Sequence, residues 1–542
     1  MVSGSQALGD VLERRQKWLL LGSLMLALFA GALDQTIVAT ATPTILADLG
    51  GFGLLSWVFT SYLLTSTVAV PLVGKLSDIF GRKFFVLAGI AVFMLSSAAC
   101  GAAPTTPTLI IFRGVQGVGG GMIFASVFAT IGDLFPPAER GRYVGIFVGT
   151  FTLASVLGPT LGGFLTDQFS WRWVFYINVP FSLAAMPAIW FNLPSPHSTR
   201  RPKIDFAGAG LLSAASVLLL LALVWAGVDY AWGSPQIVGL FAASLVFTAA
   251  FLVQESRHPE PMLPLFLFRD PVFVLSNVIV FSLGLSTFGA LQYLPTFVQT
   301  ALSASATASG VVTTPQSLGL LVTSIIGGQV IVRTGRYRLP AFIGAVVAAM
   351  AMGLLATLNV HASEWRIGFY MLLLGLGSGL VGPTMSVVVQ NAVPYRLLGV
   401  ATSSTQFFRQ IGGVLGVAVF GSILASSYQT AFASNLSESS RAAIPAATLR
   451  AFDDPTLALD PAKFGAVRQQ IDGLPRGAVL LSEAEAAQRE AVASATRVIF
   501  IWATGITVIA VAASLFLKEL PLRRDFEPHP TEEVDLTTVV VH

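Results

Sequence analysis

Charged residues are scarce in this chain: Asp, Glu, Lys and Arg make up only 11% of its 542 residues, whereas 54% are hydrophobic. Soluble proteins carry about a quarter charged residues, so this scarcity excludes an ordinary water-soluble fold. Cys100 is the only cysteine, which excludes an intrachain disulfide. The Ser, His and carboxylate side chains form no nucleophilic arrangement and no metal-ligand spacing occurs, so the sequence indicates neither an enzyme nor a metal site.

Apolar runs of roughly 20 residues, by contrast, recur along almost the whole chain, and each is long enough to cross a hydrocarbon core of about 30 Å. About fourteen such spans can be drawn between residues 18 and 517. We therefore predict an all-α polytopic membrane protein with fourteen transmembrane helices.

The basic residues predict how these spans are oriented. Of the 31 Lys and Arg residues, about twenty lie in the N-terminal segment, the C-terminal tail and alternate loops, whereas the short loops on the other side carry only Arg172 and Arg366. Positively charged loops stay in the cytoplasm. We expect both termini to be cytoplasmic, in the cell (inner) membrane, and a long connection at 427–494 to lie outside. In that connection, Ser482 and Glu485 match a capping box, which predicts that a helix begins there and runs into the last span.

Several glycines in the first half of the chain have a counterpart 254–258 residues later, in the second half. The paired positions are Gly74 and Gly328, Gly81 and Gly335, Gly117 and Gly375, and Gly158 and Gly416. A constant offset across three spans indicates an internal duplication, which predicts two parallel six-helix halves with two inserted helices between them.

The duplication predicts five segments. They are a cytoplasmic N-terminus at 1–17, a six-helix bundle at 18–194, linkers with the two inserted helices at 195–270, a second six-helix bundle with the outer loop at 271–519, and a cytoplasmic tail at 520–542.

Three ionisable side chains fall inside the hydrocarbon part of the predicted spans: Asp34, Arg113 and Arg409. A charge there costs at least about 2.5–3.5 kcal/mol, so each is a functional-site candidate. Counting 1.5 Å per residue puts Asp34 and Arg113 in the outer half of the membrane, where they could share an ion pair. Opening such a pair to water would let the carboxylate exchange a proton; a static tether is the alternative. For Arg409, the alternative is that Gln406 and Gln410 simply satisfy its donors.

The loop from Gly74 to Lys83 must turn tightly between two helices, and its glycines permit that. Asp78 can cap a helix start or pair with an arginine across the cytoplasmic face. Such contacts predict a conformational latch that stabilises one access state. The latch candidates are Gly74, Asp78, Gly81, Arg82, Arg140 and Arg142. The second-half counterpart of Asp78 is Val332, so the latch is expected to be one-sided.

Small residues and a proline line the fifth span. Small residues let helices approach closely, and a proline weakens the helix where it sits. The segment predicts a hinge or a seal against leak, with a packing seam as the alternative. Its residues are Gly158, Pro159, Gly162 and Gly163.

Five segments in chain order carry a family resemblance. They are Leu33 to Pro43, Gly74 to Lys83, Arg113 to Gly121, Gly158 to Gly163 and Trp171 to Pro180. Together they resemble the motifs of the major facilitator superfamily, and within it the fourteen-span drug:proton antiporters. The resemblance implies two six-helix halves around a central cavity, alternating access, and exchange of a substrate for protons, with Arg113 in the motif whose arginine is associated with proton transfer.

The resemblance and the lone acid Asp34 predict a proton-coupled antiporter that exports a lipophilic drug-like compound, neutral or singly cationic, with Asp34 and Arg113 as its proton-coupling residues. The proton gradient would supply the energy, so no cofactor is expected. The expected partners are the small-molecule substrate, protons and the lipid bilayer, with no nucleic acid, and the protein is expected to be monomeric. One alternative is export of a native lipid or peptide-like metabolite, with the outer loop passing an amphiphile onward. Another is a non-transporting membrane receptor or scaffold of the same fold.

A substrate cavity is expected between the halves, lined by polar and aromatic side chains of the central spans. Packing against another helix or facing lipid is the alternative for each of them. The candidates are Gln35, Tyr62, Phe124, Gln292, Tyr293, Gln316, Asn391, Phe408 and Arg409.

Overall fold

The computed structural model describes residues 12–50, 54–194, 204–227, 229–455, 457–459 and 461–522. Within these residues the chain is helical and contains no β-strand, and fourteen helices are long and apolar enough to cross a membrane. The predicted fold class and the predicted number of spans are therefore confirmed. Much of the predicted N-terminal segment and cytoplasmic tail falls outside the described residues.

We number the fourteen helices α1 to α14 in chain order. Their bounds are α1 Arg14–Leu49, α2 Leu55–Phe80, α3 Arg82–Gly101, α4 Thr106–Leu134, α5 Pro137–Gln168, α6 Asn178–Asn192, α7 Phe206–Trp225, α8 Pro235–Arg257, α9 Pro271–Thr296, α10 Ala306–Thr334, α11 Arg338–Leu355, α12 Glu364–Ala392, α13 Leu398–Asn435 and α14 Gly477–Phe516. A helical turn, Trp173–Tyr176, precedes α6, and a π-helical turn, Phe297–Ala301, follows α9. We call α1–α6 the first bundle and α9–α14 the second bundle.

The chain reverses between helices where the sequence supplies caps and glycines. Asp270 accepts the N–H of Val272 at 2.8 Å and starts α9, since the first N–H groups of a helix have no partner within it. Gly81 ends α2 with a φ of +89°, and its repeat counterpart Gly335 ends α10 with a φ of +67°. Side chains other than glycine rarely adopt such φ values. The two turns nevertheless differ, because ψ is 150° at Gly81 and 5° at Gly335, and only Gly335 has the left-handed conformation of a common helix cap.

The connections α2–α3, α4–α5, α8–α9, α10–α11 and α12–α13 lie on one side of the fourteen helices. Because the sequence concentrates Lys and Arg there, we call it the basic face. The opposite face carries the long connection between α13 and α14.

That connection is folded. Between α13 and α14 lie three short helices, Glu438–Ala443, Ala446–Ala451 and Pro461–Asp472. The Phe452 ring stacks on the Phe432 ring of α13 with centroids 5.5 Å apart. Ile471 is fully buried in the apolar core of the second bundle. The segment is thus anchored to the second bundle.

The start of α14 corrects one prediction. The helix begins at Gly477, upstream of the predicted capping box, so Ser482 lies inside it and donates to the carbonyl of Val479 at 2.8 Å. Leu480 and Leu481 are buried in the core, and their packing extends the helix through the capping sequence. With 40 residues, α14 is about 60 Å long, so it extends well beyond a hydrocarbon layer of about 30 Å.

The buried apolar side chains form separate cores. The largest joins residues of α9–α14 between Val272 and Leu517. Two others join residues of the first bundle, one between Leu20 and Leu193 and one between Ala32 and Phe175. Each bundle therefore has its own apolar core, and the two bundles also contact each other, chiefly through α5 with α10 and α2 with α13.

Candidate functional site

The predicted ion pair lies inside the first bundle. Arg113 Nη1 of α4 is 2.5 Å from Asp34 Oδ2 of α1, and the two side chains are 1% and 0% exposed. The other carboxylate oxygen of Asp34 accepts hydrogen bonds from Gln116 Nε2 at 2.8 Å and from Asn178 Nδ2 at 2.9 Å. A buried ion pair is stable only when such additional hydrogen bonds satisfy its remaining groups. Asp34 thus has one oxygen paired with Arg113 and the other hydrogen-bonded by Gln116 and Asn178.

Arg113 is held as closely as its partner. Its Nε donates to the carbonyl of Val58 at 3.2 Å, and its Nη1 also donates to Gln116 Oε1 at 2.7 Å. The Tyr62 ring lies 4.5 Å from the guanidinium carbon, and the Phe175 ring lies 6.0 Å from it. Aromatic faces attract a guanidinium. The cluster therefore contains one positive and one negative charge, and it joins α1, α2, α4 and α6.

Glycines of the Arg113 to Gly121 segment place Arg113 at this depth. A Cβ at Gly117 would lie 2.3 Å from the Tyr62 carbonyl of α2, and one at Gly119 would lie 2.5 Å from the Phe93 nitrogen of α3. Helix backbones approach this closely only through glycine. The glycine run thus draws α4 against both neighbours and brings its arginine to the acid of α1.

A second charged cluster joins the two bundles at the basic face. Asp78 of α2 accepts the N–H groups of Gly399 and Val400, each at 2.9 Å, at the start of α13. It also pairs with Arg82. A carboxylate is favoured at a helix N-terminus because the first N–H groups are free and the helix dipole is positive there. Of the predicted partners of Asp78, the structure therefore selects the helix start and Arg82.

The two other arginines predicted as latch residues have different contacts. Arg140 donates through Nε to the Phe135 carbonyl at 2.6 Å, and Arg142 is exposed with its guanidinium 6.0 Å from the Tyr143 ring. Arg82, by contrast, pairs with a second carboxylate besides Asp78: its Nε donates to Asp133 Oδ2 at 2.7 Å. The contacts described for Arg140 and Arg142 are thus to residues other than Asp78.

Repeat-related glycines form further contacts between the bundles at this face. A Cβ at Gly74 of α2 would lie 2.7 Å from the Gly399 carbonyl of α13, and one at Gly328 of α10 would lie 2.0 Å from the Gly141 carbonyl of α5. Gly74 and Gly328 are paired by the repeat predicted from the sequence. The backbone contact is therefore two-sided, whereas the charge contact through Asp78 occurs on one side only.

The predicted hinge residues lie against α1 within the first bundle. A Cβ at Gly158 would lie 2.0 Å from Thr36 Oγ1, and one at Gly162 would lie 2.7 Å from the Ile37 carbonyl. Gly163 has nothing within 4 Å of such a Cβ, and Pro159 is exposed. The seam of Gly158 and Gly162 holds α5 against the helix that carries Asp34.

The predicted cavity residues fall into three groups. Gln35, Gln292 and Gln316 are exposed or half-buried within their helices. Tyr62 belongs to the Arg113 cluster, Phe124 packs on the Phe151 ring at 5.9 Å, and Tyr293 donates to the Val417 carbonyl at 2.6 Å. The third group comprises Asn391, Phe408 and Arg409.

Two members of the third group lie away from the interior between the bundles. Asn391 is at the basic end of α12, where its Nδ2 donates to the Pro521 carbonyl at 3.2 Å. Phe408 faces the inserted helices α7 and α8, where it lines a cavity of about 430 Å³ together with Leu212, Phe251 and Ile411. The cavity's lining is almost wholly apolar. The prediction that Asn391 and Phe408 line a central cavity is thus not supported by where they lie.

Arg409 is half-buried in the first third of α13. Its Nε donates to Gln406 Oε1 at 3.0 Å, and its guanidinium carbon is 6.0 Å from the Phe288 ring of α9. Gln410 accepts instead from Thr67 of α2 at 2.7 Å. One of the two expected glutamines therefore contacts the arginine, and the other links the two bundles.

Several residues of these clusters were not among the predicted site residues. Gln116 and Asn178 complete the coordination of Asp34, and Asp133 and Gly399 complete the contacts at the basic face. Gln116 and Asn178 are amide side chains inside apolar spans, and that signal was available in the sequence. Gly399 could not be found in this way, because it contributes only a backbone N–H group.

Comparisons with known proteins agree with this architecture. Residues 24–417 match the family model described as Major Facilitator Superfamily. The chain is 41% identical over 412 residues to "Multidrug transporter protein MdtP" of Bacillus subtilis (strain 168), covering 76% of each chain. It is 38% identical over 407 residues to "Multidrug resistance protein 3" of the same organism, covering 75% of this chain and 79% of that protein.

A solved structure, the human organic anion transporter MFSD10, superimposes with a TM-score of 0.58 over 91% of this chain and 100% of that chain. At 15% identity this likeness supports the fold alone. The family model, the fourteen helices and the two bacterial relatives together show that the chain belongs to the major facilitator superfamily, in the family of its multidrug efflux transporters.

Proposed function

We propose that this protein exports lipophilic or cationic drug-like compounds from the cytoplasm in exchange for protons, by alternating access between its two bundles. The observation that supports the proposal is the buried cluster around Asp34. Asp34 is the only acidic residue that the sequence places in the hydrocarbon part of the spans, and Arg113, 2.5 Å away, balances its charge. The two multidrug relatives support the substrate class, since both names describe drug transport or resistance.

Asp34 is the proton-carrying group in this proposal. Protonation removes its negative charge, so Arg113 loses its partner while both side chains are inside the bundle. Breaking a buried ion pair by removing one partner costs about 3–5 kcal/mol, which is about two to four orders of magnitude in an equilibrium constant. A cost of that size is enough to make a rearrangement of the helices joined by the cluster depend on whether the proton is bound.

The contacts at the basic face are the closed gate in this proposal. The basic face is cytoplasmic, in accordance with the positive-inside rule, and both termini lie on that side of the cell membrane. With α2 in contact with α13 and α5 in contact with α10 there, the described arrangement corresponds to a state closed to the cytoplasm. Opening the gate requires breaking the Asp78 contacts and separating two pairs of helix backbones.

Flux measurements in proteoliposomes test the proposal. An imposed proton gradient is expected to drive uptake of a fluorescent lipophilic cation, and Asp34→Asn is expected to abolish the gradient dependence, because asparagine cannot carry the proton. Asp48→Asn is the matched control: Asp48 is on the same helix, but its side chain is 56% exposed, so coupling should persist.

Two results would contradict the proposal. Gradient-driven uptake that survives in Asp34→Asn would remove Asp34 from the coupling step. Binding of the cation without flux under any gradient would favour a receptor over a transporter.

A further inference from the structure

The inference concerns Arg409, which lies 11 residues after the first residue of α13, or about 16 Å along the helix axis. That distance puts the guanidinium near the middle of a hydrocarbon layer of about 30 Å. A charge at such depth is expensive, so it is kept where it has a partner or a function.

Arg409 differs from the other two arginines described in the clusters. Arg113 and Arg82 each pair with at least one aspartate. Among the residues that the structure describes, no carboxylate lies within ion-pair distance of Arg409; its hydrogen bond goes to the neutral amide of Gln406. The positive charge of Arg409 is therefore not balanced by this part of the chain.

The side chain faces the region between the bundles. The backbone of Arg409 packs against Gly284 of α9, where a Cβ would lie 2.4 Å from the Arg409 carbonyl, and the next residue, Gln410, contacts Thr67 of α2. Ile411, which lines the apolar cavity against α7 and α8, follows Arg409 by two residues and thus lies about 160° around the helix. Arg409 consequently points away from the inserted helices and toward the space between α9 and α2.

The two kinds of interior charge differ in exposure and in pairing. Asp34 is 0% exposed and already paired with Arg113, so it offers no free negative charge to a bound cation in this arrangement. Arg409 is half-buried, and therefore partly accessible. Of the three interior charges, Arg409 is therefore the one that is partly exposed and has no carboxylate partner among the described residues.

We propose that Arg409 binds a negatively charged group of the exported compound, a carboxylate or similar oxyanion on a lipophilic body, so that amphiphilic organic acids and zwitterions are substrates. This inference rests on the proposed export function and departs from the cationic preference expected from the sequence. Gln406 takes only Nε of the guanidinium, which leaves the two Nη groups in the planar arrangement that binds a carboxylate through two parallel hydrogen bonds. The Phe288 ring beside the guanidinium provides an apolar contact for the body of the compound.

Two probes that differ only in charge test this site: pyrenebutanoate and its neutral amide, pyrenebutanamide. Binding to the purified full-length protein is followed by energy transfer from its nine tryptophans to pyrene. Wild-type protein is expected to bind the butanoate more tightly than the amide. Arg409→Gln should weaken butanoate binding at least about tenfold, the size of a lost hydrogen bond to a charged group, and leave amide binding unchanged. Arg409→Lys should restore part of the affinity for the butanoate because it keeps the charge.

The control is Arg333→Gln, which removes an exposed arginine from the last turn of α10 and should change neither affinity. Equal weakening of both probes in Arg409→Gln would show a structural role and overturn the proposal. Wild-type protein that does not prefer the butanoate would overturn it as well. Protein that binds the butanoate through Arg409 but moves neither probe under a proton gradient would support the anion site and overturn the export function, so the two failures are distinguishable.

Discussion

Asp78→Asn should open the basic face of the protein. Asp78 accepts the N–H groups of Gly399 and Val400 across the boundary between the bundles, each at 2.9 Å. Its other partner, Arg82, belongs to the same bundle and moves with it. Of the contacts that Asp78 makes, only the two bonds to α13 therefore differ between a closed and an open basic face.

The size of the effect follows from those two bonds. A hydrogen bond to a charged group contributes about 1.5–3 kcal/mol, and the positive end of the α13 dipole adds to it. Asparagine keeps one neutral acceptor, so we expect a loss of ~2–4 kcal/mol from the closed state. That corresponds to a roughly 30- to 1,000-fold rise in the ratio of open to closed molecules.

A buried cysteine placed at the gate would report that ratio. Thr402 lies one turn after Gly399 on α13 and is 2% exposed. The reporter is Thr402→Cys in a Cys100→Ala background, which removes the only native thiol. In inside-out vesicles, an impermeant maleimide reaches this position only when the basic face opens. Its reaction rate should rise by the same factor as the open fraction.

Glu139→Gln is the matched control for the loss of a carboxylate. Glu139 is exposed in the first turn of α5, at a helix N-terminus on the same face, but it does not bridge the bundles. Its removal should leave the reporter's rate unchanged. An unchanged rate in Asp78→Asn, or an equal rise in both variants, would refute the role of the Asp78 contact as a latch.

Two further predictions test the clusters by other means. Gly328→Ala should raise the reaction rate of the same reporter without changing any charge, because the new methyl group would lie 2.0 Å from the Gly141 carbonyl; Gly382→Ala, with nothing within 4 Å, should leave it unchanged. Gln116→Leu should lower the melting temperature of the purified protein, because Asp34 and Arg113 each lose a hydrogen bond, at about 1.5–3 kcal/mol per bond to a charged group. The same change at exposed Gln168 should not do so, and equal melting temperatures for the two variants would contradict the account of the cluster.

The Asp34 and Arg113 pair could be predicted because depth in a membrane follows from counting residues along a helix. Its other partners required the packing of the helices. Asn178 lies 144 positions from Asp34, and which face of α6 meets α1 is not a property of either segment alone. The same holds for Asn391 and Phe408: they are polar or aromatic residues of central spans, but their helices turn them toward the C-terminal stretch and the inserted helices.

The incorrect capping box illustrates how tertiary contacts can override a local signal. Ser482 and Glu485 have the residue types and spacing of a helix start, yet buried Leu480 and Leu481 continue the helix upstream. The capping preference amounts to about 1 kcal/mol, whereas burying one leucine side chain contributes about 1.5–3 kcal/mol. Core packing therefore determined where this helix begins.

The sequence alone determined the number of spans and predicted the duplication and the depth of the three interior charges, because hydropathy and residue counts are local properties of the chain. Only the tertiary structure decided that the carboxylate of Asp78 caps a helix 321 positions away, and that Arg113 has an acidic partner while Arg409 has none among the described residues. The physical reason is that a charge takes its partner from whichever helix face is packed against it. That choice depends on backbone contacts at glycines such as Gly74 and Gly328, which join segments far apart in the chain.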